Sequence, residues 1–416
     1  MKTDKMTLFA LFMTIFVDAA GMALVYPVLT PLFINNETLL FAVQTTEQVR
    51  NIFYGFMLAI YPIMMFIGSP FLGTLSDKYG RKKILIICMA GNLIGLIIMG
   101  LGVSINSLFS IIFARIISGI TAASLPVAQA AMIDISSDEE IPRNLSLITA
   151  ANSIGFIVGP MITGILSKPI LGFTPSLASP FYMASLLPLF TLILLIFYSK
   201  ETYNGNKKLK LNFMTAFSNI YYRFRDKSTE LPLYILTSFL VGYYMFFNYL
   251  SMFSLLKFGY DQLAESMLLG YFSFIFGMSF LLIIPYLLKR FSLNVCLLIS
   301  IIPQFFAVLL LVLLTYPGTL WTVAAIMAIF VPCSYVVLLS ILSNKTEKAC
   351  QGSIMGVCSS VNSFAWGMAP LLTAFIQNQS LLLPFIISTV ILLIALMLSV
   401  AYIRNCKADL ELADVS

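Results

Sequence analysis

The chain has 416 residues, of which 60% are hydrophobic and 10% are charged, and its mean hydropathy is +0.96. This composition excludes an ordinary soluble protein and predicts an all-α integral membrane protein. Histidine is absent, and the chain has no nucleotide-binding loop, nucleophile elbow or paired metal-ligand spacing. We therefore predict neither an enzyme nor a cofactor or metal site.

Apolar runs long enough to cross a bilayer follow one another along the chain. About 20 apolar residues are needed to cross about 30 Å of hydrocarbon. Runs that carry at most one charge, each predicted to form one helix, are 6–33, 51–75, 144–167, 231–256 and 266–288. The other helices come from the longer runs 84–132, 169–199, 291–344 and 349–403. Because loops exposed to lipid are not tolerated, three of these longer runs divide at turn residues, and the predicted total is twelve.

Lysine and arginine are distributed unevenly between the loops on the two sides of these helices. With the N-terminus inside, 20 of the 24 basic residues lie on the cytoplasmic side, 3 lie outside, and Arg115 lies within a span. Basic residues are retained on the cytoplasmic side of short loops, so both termini are predicted to be cytoplasmic. The net charge of +6 then reflects topology and contact with the lipid bilayer rather than nucleic-acid binding.

An internal repeat relates two distant segments of the chain. NSIGFIVGPMITGIL, from Asn152, aligns without gaps on NSFAWGMAPLLTAFI, from Asn362, at an offset of 210 residues. Both segments share the leading Asn-Ser pair and a proline, at Pro160 and Pro370. Duplicated halves are common in transporters, so the repeat predicts two six-helix halves in the same orientation.

The repeat divides the chain into four predicted parts. They are an N-terminal half, a basic cytoplasmic linker, a C-terminal half and a cytoplasmic tail, at residues 1–200, 201–230, 231–405 and 406–416. Parallel halves with a binding site near the membrane midplane are typical of carriers that work by alternating access. A non-transporting membrane sensor would carry a sizeable soluble domain, whereas the largest polar segment here is the linker.

One loop carries a specific motif, GTLSDKYGRKK, which begins at Gly73. Its Gly73, Asp77, Gly80 and Arg81 resemble the signature of the major facilitator superfamily between helices 2 and 3, and this resemblance implies the major facilitator fold. The family also pairs an acid at the end of helix 4 with this loop, and Asp134 stands there. The resemblance implies a conformational lock on the cytoplasmic side. A solvated basic loop without that role is the alternative.

Three further stretches resemble the proton-linked drug efflux branch of that superfamily, which includes tetracycline exporters. They are DAAGMALVYPVL in helix 1, ARIISGITAA in helix 4 and GFIVGPMITG in helix 5. The matching residues are Asp18, Gly21, Pro27, Arg115, Gly119, Gly155, Gly159, Pro160 and Gly164. Thr163 replaces a glycine of the family pattern. The resemblance implies that helix 5 takes part in gating, although glycines at i and i+4 also fit simple close packing.

Asp18 and Arg115 are the ionisable residues predicted to lie deep within spans. An aspartate at the centre of a bilayer costs roughly 2.5 to 3.5 kcal/mol, so Asp18 needs a partner, a proton or a function. Burial favours the protonated acid and a nearby guanidinium favours the ionised one, so the pair can load and release a proton. A structural ion pair, or an Arg115 that reaches towards the interface, are the alternatives.

The repeated asparagines predict part of a substrate cavity. Asn152 and Phe156 share one helical face, and Asn362 and Trp366 repeat that arrangement. Because an amide is costly to expose to lipid, these side chains are expected to point inward, to a cavity or to a helix contact. Asn248 in helix 7 and Tyr335 in helix 10 complete the candidates, while the aromatic residues around Asn248 are expected to face lipid.

These features together predict a monomeric, multi-pass transporter of a bacterial inner membrane. The expected activity is proton-coupled export of small, partly lipophilic compounds, because a cavity with few fixed charges suits such substrates. Proton-driven uptake of a metabolite, amino acid or siderophore is the alternative within the same fold.

Overall fold

The computed structural model describes residues 5–34, 40–42, 44–136, 141–166, 176–203, 222–346 and 351–415. Throughout these ranges the chain is helical with short connections, and no β-strand is present in them. Most of the predicted linker, residues 204–221, lies outside the described residues.

Fifteen α-helices occur within the described ranges. In chain order they are α1 Lys5–Ala23, α2 Tyr26–Ile34, α3 Glu47–Tyr79, α4 Arg81–Ser104, α5 Leu108–Ile120, α6 Ser124–Ile135, α7 Ile141–Leu166, α8 Ser179–Ile193, α9 Glu230–Phe258, α10 Gln262–Met278, α11 Ile284–Arg290, α12 Leu293–Leu313, α13 Pro317–Asn344, α14 Gln351–Ile376 and α15 Leu383–Val415. Single π-helical turns follow α8 at Leu194–Tyr198 and α10 at Ser279–Ile283. The last helix runs on through the segment predicted as a tail.

Ten helical segments of the described residues are long and apolar enough to cross a membrane. Helices α7 and α14 lie where the two remaining spans are predicted, so the count of twelve spans stays a prediction, as does the cytoplasmic position of the termini. Large apolar side chains point outward, for example Phe109 and Phe197, which are 78% and 74% exposed. Such a surface is expected where lipid, and not water, covers the helices.

Two predicted spans are broken rather than continuous. The first divides into α1 and α2 at residues 24–25, and the fourth divides into α5 and α6 at residues 121–123. A proline follows each break, Pro27 and Pro126, and neither can donate an N–H to the carbonyl four residues earlier. Interrupted helices in membrane proteins occur where the backbone lines a protein interior or a cavity.

The chain divides into two compact units. Unit 1 comprises Met1–Phe213 and Ser251–Phe274, and unit 2 comprises Met214–Leu250 and Ile275–Ser416. In unit 1, α1 packs along α7, and α4 packs on α5 and α8. In unit 2, α12 packs on α13 and α15. The predicted boundaries of the two sequence halves stay predictions.

The contact between α1 and α7 depends on two glycines. A Cβ at Gly155 would collide with the Phe16 carbonyl, and a Cβ at Gly159 would collide with the Ala20 carbonyl. Glycine therefore lets the two helix backbones touch, which is the packing that small residues at i and i+4 provide within membranes. Thr163 adds a hydrogen bond across the same contact, from its hydroxyl to the Leu24 carbonyl at 3.1 Å.

Candidate functional site

Asp18 is held by two neutral donors from other helices of unit 1. Its Oδ1 accepts a hydrogen bond from Asn92 Nδ2 at 3.1 Å, and its Oδ2 accepts one from Ser124 Oγ at 2.5 Å. Ser124 begins α6, directly after the break in the fourth span. Gly21 leaves room for the amide, because a Cβ there would lie 3.1 Å from Asn92 Oδ1. The broken helix and the glycine thus bring two polar groups to the carboxylate.

The Asp18 carboxylate lies on the wall of a small cavity in unit 1. The cavity has a volume of about 20 Å³, which is room for about one water molecule. Its polar lining consists of Asp18, Tyr61, Asn92, Arg115 and Ser118. Both ionisable residues predicted to lie within spans therefore face the same cavity.

Arg115 is buried and binds the backbone of α3. Its Nε donates to the Met57 carbonyl at 3.1 Å, and one terminal nitrogen donates to the Leu58 carbonyl at 3.4 Å. The guanidinium carbon also lies 4.9 Å from the centre of the Tyr61 ring. Because Pro62 has no N–H, the Leu58 carbonyl lacks its normal helical donor, and the arginine occupies that place. Among the described residues, Arg115 makes no ion pair with Asp18.

The loop motif forms a charged cluster at one end of unit 1. Arg81 contacts Asp77 at 2.5 Å and Asp134 at 3.2 Å, and it also donates to Ser76 Oγ at 2.6 Å. The arginine side chain is 11% exposed, so its two ion pairs are partly shielded from solvent. The structure thus brings Asp77, Arg81 and Asp134 together.

Gly80 ends α3 and directly precedes α4 with a φ of +102°. A side chain there would also collide with the Glu201 carboxylate, which accepts a hydrogen bond from the Lys82 backbone N–H at 3.1 Å. Only glycine combines this backbone angle with that close approach. At Gly73, by contrast, an added Cβ would have no neighbouring atom within 4 Å, so packing does not require glycine there.

The candidates on α7 separate into two groups. Gly155 and Gly159 pack on α1, and Gly164 packs against Ser266 of the same unit. Pro160 is buried beside Gly159, whereas Asn152 and Phe156 are half-buried. The structure does not bring these last two residues to the Asp18 cavity.

In unit 2, Tyr244 of α9 joins two of the predicted cavity residues. Its hydroxyl donates to Asn362 Oδ1 at 3.0 Å, and its ring stacks on Trp366 at 5.9 Å between ring centres. The expectation that the aromatic residues around Asn248 face lipid is wrong for most of them, since Tyr243, Phe246 and Tyr249 are buried. Phe246 and Tyr249 pack on Phe385 of α15. Asn248 is buried and Tyr335 is half-buried, both within unit 2.

Sequence reasoning missed two polar clusters. In unit 2, Gln304 of α12 donates to Ser334 Oγ and to the Ser300 carbonyl, each at 2.8 Å. An amide within a 21-residue apolar helix was the available signal. In unit 1, Glu265 is only 1% exposed, although the predicted span began one residue later. Glu265 is therefore a second acid between the described helices, and it is more deeply buried than Asp18, which is half-buried.

These features define a polytopic helical membrane protein with ionisable residues buried between its helices. The profile described as Major Facilitator Superfamily matches residues 11–370, and the chain belongs to this family.

Relatives with assigned names are bacterial drug-resistance proteins. The chain is 25% identical over 383 residues to the class B tetracycline resistance protein of Escherichia coli, covering 91% of this chain and 90% of that protein. It is 32% identical over 195 residues to the class C protein of Escherichia coli, but this match covers 47% of the chain and 45% of that protein. Multidrug resistance protein 2 of Bacillus subtilis (strain 168) is 29% identical over 266 residues, which are 62% of the chain and 60% of that protein.

Solved transporter structures share the fold. The human organic anion transporter MFSD10 (TETRAN) superposes with a TM-score of 0.70 at 16% identity, covering 96% of this chain and all of that one (100%). A D-xylose-proton symporter gives a TM-score of 0.74 at 14% identity, covering 95% of this chain and 97% of that one. At such identities the similarity establishes the fold alone.

Proposed function

We propose that the protein exports small, partly lipophilic compounds, drugs or metabolites, across a bacterial inner membrane in exchange for protons. The names of its relatives, which are resistance proteins for tetracycline or for several drugs, support the substrate class. The exporter would work as a monomer by alternating access, with twelve spans and both termini in the cytoplasm.

The contacts of Asp18 carry the proposal of proton coupling. Its carboxylate accepts hydrogen bonds from Asn92 and Ser124, which are neutral, and faces a cavity that holds about one water. A buried charge is costly unless it is paired, and Arg115 is engaged by backbone carbonyls instead. Proton uptake is thus a direct way to neutralise Asp18, and a water in the cavity would deliver the proton. Arg115 would hold the α3 side of the cavity wall in place and would keep a positive charge beside the cavity.

The gating residues would be those of the charged cluster and of the α1–α7 contact. Asp77, Arg81 and Asp134 form ion pairs that must break if the elements that carry them separate. Packed glycine contacts of this kind have discrete arrangements rather than a continuous range, so they suit a two-state carrier. The complete set of proposed gating residues is Gly73, Asp77, Gly80, Arg81, Asp134, Gly155, Gly159, Pro160 and Gly164.

The residues proposed to contact substrate are neutral or aromatic. In unit 2 these are Asn248, Tyr335, Asn362 and Trp366, with Tyr244 fixing the last two. In unit 1 they are Asn152 and Phe156. Aromatic rings beside amides recognise flat, weakly polar molecules through stacking and a few hydrogen bonds.

Transport into inverted membrane vesicles tests the proposal. Tetracycline and a panel of lipophilic drugs would be offered under an imposed pH gradient, acidic inside, and uphill accumulation is expected with the wild-type chain. Asp18→Asn should abolish accumulation while leaving downhill substrate exchange, because it removes the proton site but keeps the shape. Glu47→Gln, which changes an exposed acid in the first turn of α3, is the matched control.

Two outcomes would reject the proposal. Unchanged uphill transport by Asp18→Asn would remove the role of that residue. Accumulation of a metabolite, amino acid or siderophore only in right-side-out vesicles would favour the uptake symporter.

A further inference from the structure

Glu265 lies in a second buried polar cluster of unit 1, away from the residues that line the Asp18 cavity. It stands in the first turn of α10, and its Oε1 lies 3.0 Å from Thr30 Oγ1 of α2. The Tyr54 hydroxyl of α3 lies 3.1 Å from the same Thr30 oxygen. Ser251 of α9 is also buried beside the carboxyl group, and its hydroxyl makes no hydrogen bond of normal geometry within the described residues.

The number of protons in this cluster does not match the number of contacts if Glu265 is ionised. Thr30 Oγ1 has one proton, yet it lies within hydrogen-bond distance of the Glu265 carboxyl, of Tyr54 and, at 2.9 Å, of the Tyr26 carbonyl. A hydroxyl can donate one hydrogen bond and accept two. A threonine in a helix commonly donates to the carbonyl four residues earlier, which here is that of Tyr26.

A protonated Glu265 satisfies every one of these contacts. Its carboxyl O–H donates to Thr30 Oγ1, Tyr54 O–H donates to the same oxygen, and Thr30 donates to the Tyr26 carbonyl. When Glu265 loses the proton, Thr30 must turn from that carbonyl to the carboxylate. Ser251, whose hydroxyl lies beside the carboxyl group, is placed to donate a second hydrogen bond to the new charge. The cluster therefore has two arrangements that differ by one proton.

The side chains that hydrogen-bond or lie beside the Glu265 carboxyl, Thr30 and Ser251, are neutral. Tyr54 is the titratable group that faces it from α3, and Arg50 lies one turn earlier on that helix. Directly before α10 the neighbouring acid is Asp261, whose carboxylate accepts a hydrogen bond from the Ala264 N–H at 2.8 Å. Ion pairs within the described residues occur at Arg81 and Arg223, and none of them involves Glu265.

We propose that Glu265 is a second proton-binding site, separate from Asp18. This inference rests on the proposed proton coupling for its physiological meaning, and it adds that protons are bound at two places. By the predicted topology, Glu265 stands at the outer end of helix 8, where it would exchange protons with the outside. Its hydrogen bond to Thr30 joins α10 to α2, the helix that follows Asp18 in the chain. A change in the protonation of Glu265 would therefore alter a contact of α2.

Infrared difference spectroscopy of the full chain in lipid tests the inference without any substrate. The carboxylic acid C=O stretch should titrate with pH in the wild-type protein, and one component should vanish in Glu265→Gln. It should persist in Asp18→Asn, and in Asp261→Asn, the matched control at the exposed acid directly before α10. Thr30→Val should move the midpoint of that component by about one pH unit, because a hydrogen bond to the ionised group is lost.

Several outcomes would overturn the inference. If the spectrum of Glu265→Gln keeps every titrating carboxyl component, Glu265 does not exchange a proton. If the variant instead loses binding of tetraphenylphosphonium while the pH spectrum is unchanged, Glu265 is a site for cationic substrates. Because the spectra need no transport, a titrating Glu265 in a chain that fails the vesicle assay would reject the proposed function alone.

Discussion

The two units bury different kinds of polar group. Unit 1 places Asp18, Arg115 and Glu265 inside its helices, together with the charged cluster at Arg81. In the described residues of unit 2, the buried polar side chains are neutral, among them Gln304, Ser334 and Asn248. The buried ionisable residues that the proposed proton coupling uses therefore lie in unit 1.

The largest effect is expected from Arg115→Met, because it removes the donors to the Met57 and Leu58 carbonyls. An unsatisfied buried acceptor costs about 1–3 kcal/mol, so the thermal midpoint of the purified protein should fall clearly. Pro62→Ala should partly rescue the variant, since alanine returns an N–H to the Leu58 carbonyl. A double variant that is no more stable than Arg115→Met alone would contradict this account of the arginine.

A smaller effect, on recognition, is expected from Tyr244→Phe in unit 2. The change removes the hydrogen bond to Asn362 but keeps the ring that stacks on Trp366. The loss of one neutral hydrogen bond is worth about 0.5–1.5 kcal/mol, which is a rise of about threefold to tenfold in the KM for substrate. The pH dependence of transport should not change. A shift in the pH profile would mean that coupling extends into unit 2.

Gln304→Met tests whether a buried polar group in unit 2 can be removed without harm. The Gln304 Oε1 atom is buried and has no hydrogen-bond partner within the described residues, so glutamine is already incompletely satisfied. Methionine has a similar shape, and the change in stability should stay within about 1 kcal/mol. Thermal unfolding measured beside Arg115→Met gives the comparison directly. An equal fall in the thermal midpoint of the two variants would contradict the contrast between the units.

The smallest effect is expected at Asp226, in the connection before α9. Hydrogen bonds from the Ser228 N–H and hydroxyl hold the pKa of this carboxyl below its usual 3.8. A lowered pKa stabilises the fold above 3.8, and this contribution is lost as the pH falls through the lowered value. Asp226→Asn should therefore be slightly less stable than wild type at neutral pH, and the difference should disappear in acid unfolding as the pH falls below 3.8. Because the group is exposed, solvent screening keeps the difference small.

The sequence predicted the helical class and the identity of the charged cluster, but not the partners of the buried acids. The helices could be predicted because the length of an apolar run is set by the thickness of the bilayer. Asp77 and Arg81 could be predicted because they belong to a specific loop motif. Asn92 and Ser124 could not be predicted as the hydrogen-bond donors to Asp18, because the spacing of residues along one helix does not show which other helices pack against it. Glu265 was missed because the span was started after the last charge, whereas α10 begins at Gln262. Pro27 and Pro126 were visible signals of the two helix breaks.

The arginine that serves the backbone of α3 has an evolutionary consequence. Pro62 and Arg115 are 53 positions apart in the sequence, yet the proline is tolerable because the arginine supplies the donor that the Leu58 carbonyl would otherwise lack. If the proline is replaced first, its successor supplies the N–H, and Arg115 can then be substituted. If the arginine is lost first, the Leu58 carbonyl is left without a donor. An alignment of relatives should therefore show the two positions changing together, with proline disappearing before arginine in the inferred order of substitutions.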